Sequence, residues 1–196
     1  MVATYAPLAI GLIGASAIAG LMAGFLGVGG GIVLVPVMVW MFGFIQFSPD
    51  LAMHMAVATS LATIVFTAIP SARTHHSQGG VLVPVLKRWG PFVALSALVG
   101  GLIARYIDPS TLTLIFAVVA VVVSLNFLRK EPLVLAEHLP IGLPGNAGIA
   151  SGVGFVSSLM GIGGGTLGVP VMSAFSVPIK KAVGTSAALG FLIALP

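Results

Sequence analysis

The sequence predicts an all-α polytopic membrane protein: an inverted-repeat helical bundle whose helices break at glycine-rich motifs and whose second repeat is truncated. Three observations carry this. Hydrophobic residues make up 58% of the 196 residues and charged ones 6%, whereas a soluble domain carries roughly a quarter charged residues. Such a chain could not cover a water-facing surface. Second, GVGGGIVLVPVM at residues 27–38 returns as GIGGGTLGVPVM at 161–172, with eight of twelve positions identical. Third, AVATS at 56–60 is answered by AVGTS at 182–186, and Pro70 by Pro196. Duplicated apolar segments interrupted by glycine mark transporters built from two repeats around a central site.

Apolar stretches near the length of a bilayer crossing recur at 7–25, 32–47, 51–69, 91–106, 111–128, 146–160, 166–177 and from 182 onward, which predicts eight membrane segments. The first contains Ala15, Ser16 and Ala17 but lacks the basic start of a signal peptide, and its Gly14 and Gly20 share a register with Gly148 and Gly154. It reads as a retained helix. Residues 1–133 form the first repeat, with five segments, and 134–196 a partial second repeat with three. After its AVATS helix the first copy runs on for about sixty residues, whereas the second stops at Pro196. Repeat arithmetic therefore predicts a complete form of about ten segments and roughly 250 residues.

The formal charge of +4 and the pI near 10.0 come from a few loop residues, so they report orientation and not nucleic-acid binding. With every segment crossing and the N-terminus outside, Arg73, Lys87, Arg88, Arg129, Lys130, Lys180 and Lys181 fall inside and only Arg105 outside. Making 32–47 and 166–177 re-entrant instead moves Lys180 and Lys181 outside, so the spanning arrangement is preferred. Five crossings then separate the first segments of the two copies, and an odd number makes the repeats inverted.

Runs such as Gly27, Gly29, Gly30 and Gly31 disfavour a continuous helix, since each glycine costs about 1 kcal/mol against alanine. A break at membrane depth frees backbone groups that only protein or a water-filled cavity can satisfy. Pro36 and Pro170 each remove one more internal hydrogen bond. An exposed helix start offers N–H groups and the positive end of the dipole, an anion site without charged side chains. Asp50, Asp108, Glu131 and Glu137 all lie in loops or at segment ends, which favours an anion or a neutral solute over a metal cation.

The expected substrate-binding groups are Gly29, Gly30 and Gly31 with Gly163, Gly164 and Gly165, supported by the hydroxyls of Thr59, Ser60, Thr185 and Ser186. Membrane Ser and Thr also bond to their own backbone or to a neighbouring helix, the plainer reading of the same residues. Gly20 with Gly24 and Gly148 with Gly152 fit the GxxxG pattern of close helix packing. His54 aligns with Lys180 of the second copy and is the candidate proton-linked group. His75 and His76 read as a solvated basic loop, and His138 beside Glu137 reads likewise.

No dinucleotide fingerprint exists, because Ile32 and Thr166 stand where its third glycine belongs, and a Walker lysine is absent. No Ser/His/Asp grouping and no metal-ligand spacing lies within the segments, so neither catalysis, metal nor cofactor is expected. With no cysteine, thiol chemistry is excluded from this stretch.

FLGVGGGIVLVPVM, its second copy MGIGGGTLGVPVM, and the AVATS and AVGTS segments resemble the sulfite exporter TauE/SafE family of membrane permeases. The resemblance implies transport of small sulfur-containing or carboxylate anions, such as sulfite or organosulfonates, across the bacterial cytoplasmic membrane. The expected function is thus a secondary transporter; the alternative is a passive anion or small-solute channel using the same broken helices. Expected partners are a small anion and the lipid bilayer, with a homodimer possible through the small-residue faces.

Overall fold

The computed structural model describes residues 11, 13, 14, 16, 17, 20, 21, 30–129, 134–137, 139 and 143–196. Seven helices and no strand are present among them: α1 (Gly31–Phe44), α2 (Pro49–Ser77), α3 (Val83–Ala104), α4 (Pro109–Leu128), α5 (Leu143–Met160), α6 (Gly164–Ala174) and α7 (Ile179–Ala194). The described residues between 11 and 21 are also helical. The chain is therefore all-α, as its composition dictates. Three helices, α2, α3 and α4, are long and apolar enough to cross a membrane.

Large apolar side chains face outward along these helices, among them Phe66 (77% exposed), Leu95, Leu114, Val121 and Leu125. In water such a surface would cost roughly 25 cal/mol per Å², so it belongs in hydrocarbon. α2 has 29 residues, or about 43 Å of helix against a hydrocarbon thickness of about 30 Å. It continues through Pro70 to Ser77 and carries His75 and His76. These two histidines are thus helical, not part of a loop; a proline costs one internal hydrogen bond without ending a helix. Similarly, α3 starts at Val83, so that Lys87 and Arg88 sit inside it and Pro91 is an interior residue.

Contacts between elements define the topology. α3 and α5 run parallel: Trp89 Nε1 donates to Asn146 Oδ1 at 2.9 Å, and further along Gly154 meets Val93 while Gly100 meets Phe155 and Ser158. α7 begins beside the start of α3, where the Leu82 amide donates to Thr185 Oγ1 at 2.9 Å and Gly184 abuts Gly80. α6 lies antiparallel to α7, with Gly164 against Ser186 and Gly190. Its C-terminal Ala174 carbonyl accepts from the Leu135 amide, 2.7 Å, in the linker ahead of α5. Consequently α5 and α6 form a hairpin that enters and leaves at one end of the molecule and reverses at residues 161–163.

α6 has 11 residues, about 16 Å, shorter than the hydrocarbon thickness of about 30 Å. Lys180 and Lys181 share an end with the α2–α3 loop, the grouping that the spanning count favoured. α2 and α7, the matching helices of the two copies, pack antiparallel: Ile64 and Ala68 cluster with Ala194, and His75 lies against Gly184.

The joints after the short helices repeat one local design. The Phe47 amide donates to Phe42 O at 3.0 Å and the Val177 amide to Met172 O at 3.2 Å, while Gln46 (φ 52°) and Ser176 (φ 59°) take left-handed conformations. Both satisfy the last carbonyls of a helix by the same αL closure. The interior forms two main clusters. One joins Leu34, Met38, Met53, Phe116 and Met160; the other joins Trp89, Val93, Ala150, Met172 and Leu189.

α4 starts on Asp108, whose Oδ1 accepts from the Thr111 amide at 3.0 Å and from Ser110 Oγ at 2.5 Å. These bonds hold its carboxyl well below the usual carboxylate range. A depressed folded-state value gives stability that is present above the unfolded value of about 3.9 and lost as pH falls through the folded one. Asp108→Asn is therefore expected to lower the melting temperature at neutral pH. That gap should shrink as pH drops below about 4; a gap independent of pH would disprove the charge contribution.

Candidate functional site

The two glycine runs touch. A Cβ on Gly31 would lie 2.3 Å from the Gly161 carbonyl oxygen, 2.8 Å from Ile162 Cα and 3.0 Å from Ser60 Oγ. Only glycine permits this approach. Gly161 has φ +65°, the left-handed region that favours glycine, and a Cβ there would sit 2.7 Å from Val57 Cα. The turn between α5 and α6 is thus glycine for both conformational and steric reasons. Ser60, fully buried, donates its hydroxyl to Gly161 O at 2.6 Å and ties α2 to that turn.

Both short helices start at glycine, α1 after Gly30 and α6 after Gly163, and neither N-cap offers a side chain to the first-turn amides. A helix start in general presents N–H groups outside the intrahelical ladder and a positive partial charge of about half an elementary unit. A cavity of about 290 Å³ lies against these two starts, lined by Gly30, Gly31, Gly163, Gly164 and Gly165 together with Ser60 and Ser186. Ser186 is fully buried, and its Oγ has no hydrogen-bond partner among the described residues. A buried hydroxyl without a partner costs about 1–3 kcal/mol, a cost that a bound acceptor would offset.

Seven of the ten expected site residues therefore come together at one cavity. Thr185, fully buried, is not among the lining residues and spends its oxygen on the Leu82 amide, while Thr59 also stays out of the lining. Gly29 lies outside the described residues, as does His138. His54 is placed elsewhere, with Nε2 3.1 Å from the Ala104 carbonyl; it does not line the cavity.

Sequence reasoning missed the remainder of the polar wall. Thr63, Thr67, Ser71 and His75 extend it along α2 from Ser60. Their spacing of three or four residues is the helical signature of a single face, legible in the sequence once the helix is allowed past Pro70. Thr63 and Thr67 turn their hydroxyls onto the carbonyls of Thr59 (2.9 Å) and Thr63 (3.1 Å), leaving oxygen lone pairs toward the cavity. No carboxylate lines the cavity among the described residues, and His75 is its one ionisable group there. The hydroxyl protons of Ser60, Thr63 and Thr67 are thus spent on backbone carbonyls, so it is the amides of the helix starts, without negative charge nearby, that suit an oxyanion.

The family described as Sulfite exporter TauE/SafE matches residues 12–196. Three relatives named "Probable membrane transporter protein" illustrate the similarity. That of Haemophilus influenzae is 33% identical over 91% of this chain and 68% of its own length. YunE of Bacillus subtilis is 28% identical over 89% of this chain and 71% of its own, and MJ0441 of Methanocaldococcus jannaschii is 25% identical over 86% and 63%. No solved structure matches the chain.

Proposed function

Because the chain belongs to the Sulfite exporter TauE/SafE family of membrane transporters, we propose that it moves small anions, such as sulfite, organosulfonates or related carboxylates, as a secondary transporter. The observation that carries this reading is the cavity itself, where the glycine starts of α1 and α6 meet without a side-chain cap and, among the described residues, without a carboxylate. Amide groups and helix dipoles in a water-poor site attract negative charge far more strongly than in bulk water. The sulfur in this proposal comes from the family's description; the geometry speaks for an oxyanion of modest size.

Alternating access follows from two halves of opposite orientation around one site. The antiparallel packing of α2 against α7 and the meeting of Gly31 with Gly161 support that arrangement. In this reading the protein lies in the cytoplasmic membrane with its N-terminus outside, because Lys87, Arg88, Lys180 and Lys181 belong on the cytoplasmic side. The test is flux of labelled sulfite and methanesulfonate in proteoliposomes. Saturable uptake accelerated by trapped anion on the opposite side is expected; an ohmic single-channel current would replace the transporter with a channel, and absence of anion flux would end the proposal.

A further inference from the structure

The polar wall of the cavity is not symmetric about the glycine contact. From Ser60 it runs along a single face of α2 through Thr63, Thr67 and Ser71 to His75, about 22 Å at 1.5 Å per residue. His75 is half-buried. A Cβ on Gly184 would come within 3.0 Å of its Cβ, so the glycine lets α7 close against the histidine. The Gly80 amide donates to the His75 carbonyl at 2.8 Å, which fixes the last turns of α2 at the loop.

We infer that His75 is the proton-linked, anion-selecting group of this cavity, receiving the anion at the basic end of the wall that leads to the glycine contact. The inference rests on the anion-transport reading above and gives it a titratable residue. It moves that role from His54, which lies outside the cavity, to His75, which lines it.

The surroundings are basic. Arg73 and His76 flank His75 on α2, Lys180 and Lys181 open α7, whose Gly184 meets His75, and Lys87 and Arg88 follow on α3; Glu137 of the linker is exposed. Anion binding and protonation of the imidazole are coupled reciprocally: protonation tightens anion binding as much as anion binding favours protonation. Affinity therefore rises as pH falls through the histidine range. The basic residues at the mouth raise the local anion concentration at any pH, whereas His75 alone makes the affinity pH-dependent.

The test measures methanesulfonate binding to the whole protein in nanodiscs by calorimetry, a probe that stays ionised across the range used. Between about pH 8 and about pH 5.5 the affinity should rise roughly tenfold. His75→Gln should flatten this dependence, and His76→Gln, on the exposed side of the same helix, should leave it intact. A pH dependence that survives His75→Gln, or a flat profile in the parent, overturns the inference while the anion site stands. If the parent binds no anion at any pH, the transport reading itself fails.

Discussion

Gly30→Leu is expected to cut anion flux by at least about tenfold, a change worth about 1.4 kcal/mol, while leaving the melting temperature within a few degrees of the parent. Gly30 lines the cavity, and a Cβ added there meets nothing within 4 Å among the described residues. Its backbone angles, φ −66° and ψ −21°, are helical and open to any L-residue. The new side chain therefore enters space and not packed protein, displacing the water or anion that the helix starts would otherwise hold. Transport and thermal unfolding measured on the same preparation decide the matter. Flux equal to that of the parent would remove this cavity from the translocation path.

The opposite outcome is expected one residue further on and in the second copy. Gly31→Ala would force a methyl to 2.3 Å from the Gly161 carbonyl, and Gly164→Ala would bring one to 2.5 Å from the Ser186 carbonyl and 2.8 Å from the Gly190 amide nitrogen. These neighbours are backbone, so no rotamer change relieves the overlap. The helices must separate. Overpacking of this kind costs about 1–3 kcal/mol and occasionally more; with backbone on both sides, each variant should lose about 3 kcal/mol and express poorly. Gly101→Ala, on α3 with nothing within 4 Å of the added Cβ, is the control expected to melt like the parent. Should Gly31→Ala unfold no earlier than that control, the two glycine runs do not touch.

These contrasting predictions show what position along one motif means. In sequence, Gly30 and Gly31 are equivalent members of a run, and Gly164 matches Gly30 at the shared repeat offset. Folding separates them by what each faces, an open cavity for Gly30 and a carbonyl for Gly31 or Gly164. The paired serines diverge in the same way. Ser60 and Ser186 hold matching places in AVATS and AVGTS, yet Ser60 donates to Gly161 O while Ser186 has a buried oxygen with no partner among the described residues.

Membrane residence and helical class were legible because they depend on composition, which no tertiary contact can alter: a chain with 6% charged residues must satisfy its backbone within helices inside lipid. The helix break at the second glycine run was legible for a related reason, since propensity acts locally and α6 begins within that run, at Gly164, after the turn at 161–163. Proline, by contrast, misled. Pro70 and Pro91 mark interior positions of α2 and α3, where one missing hydrogen bond is offset by packing on either side. For that reason the hydroxyl face ending at His75 was cut short in the linear reading.

Sequence by itself determined that this chain is helical, apolar, duplicated and interrupted at its second glycine run, because each of these properties is set by residue type and by spacing along the chain. Only the tertiary structure decided that α5 and α6 fold back on each other as a hairpin, that its turn meets Gly31, and that the cavity is lined by His75 and not by His54. Those outcomes depend on which helices lie side by side, and close packing between distant segments is settled by shape complementarity that no local pattern encodes.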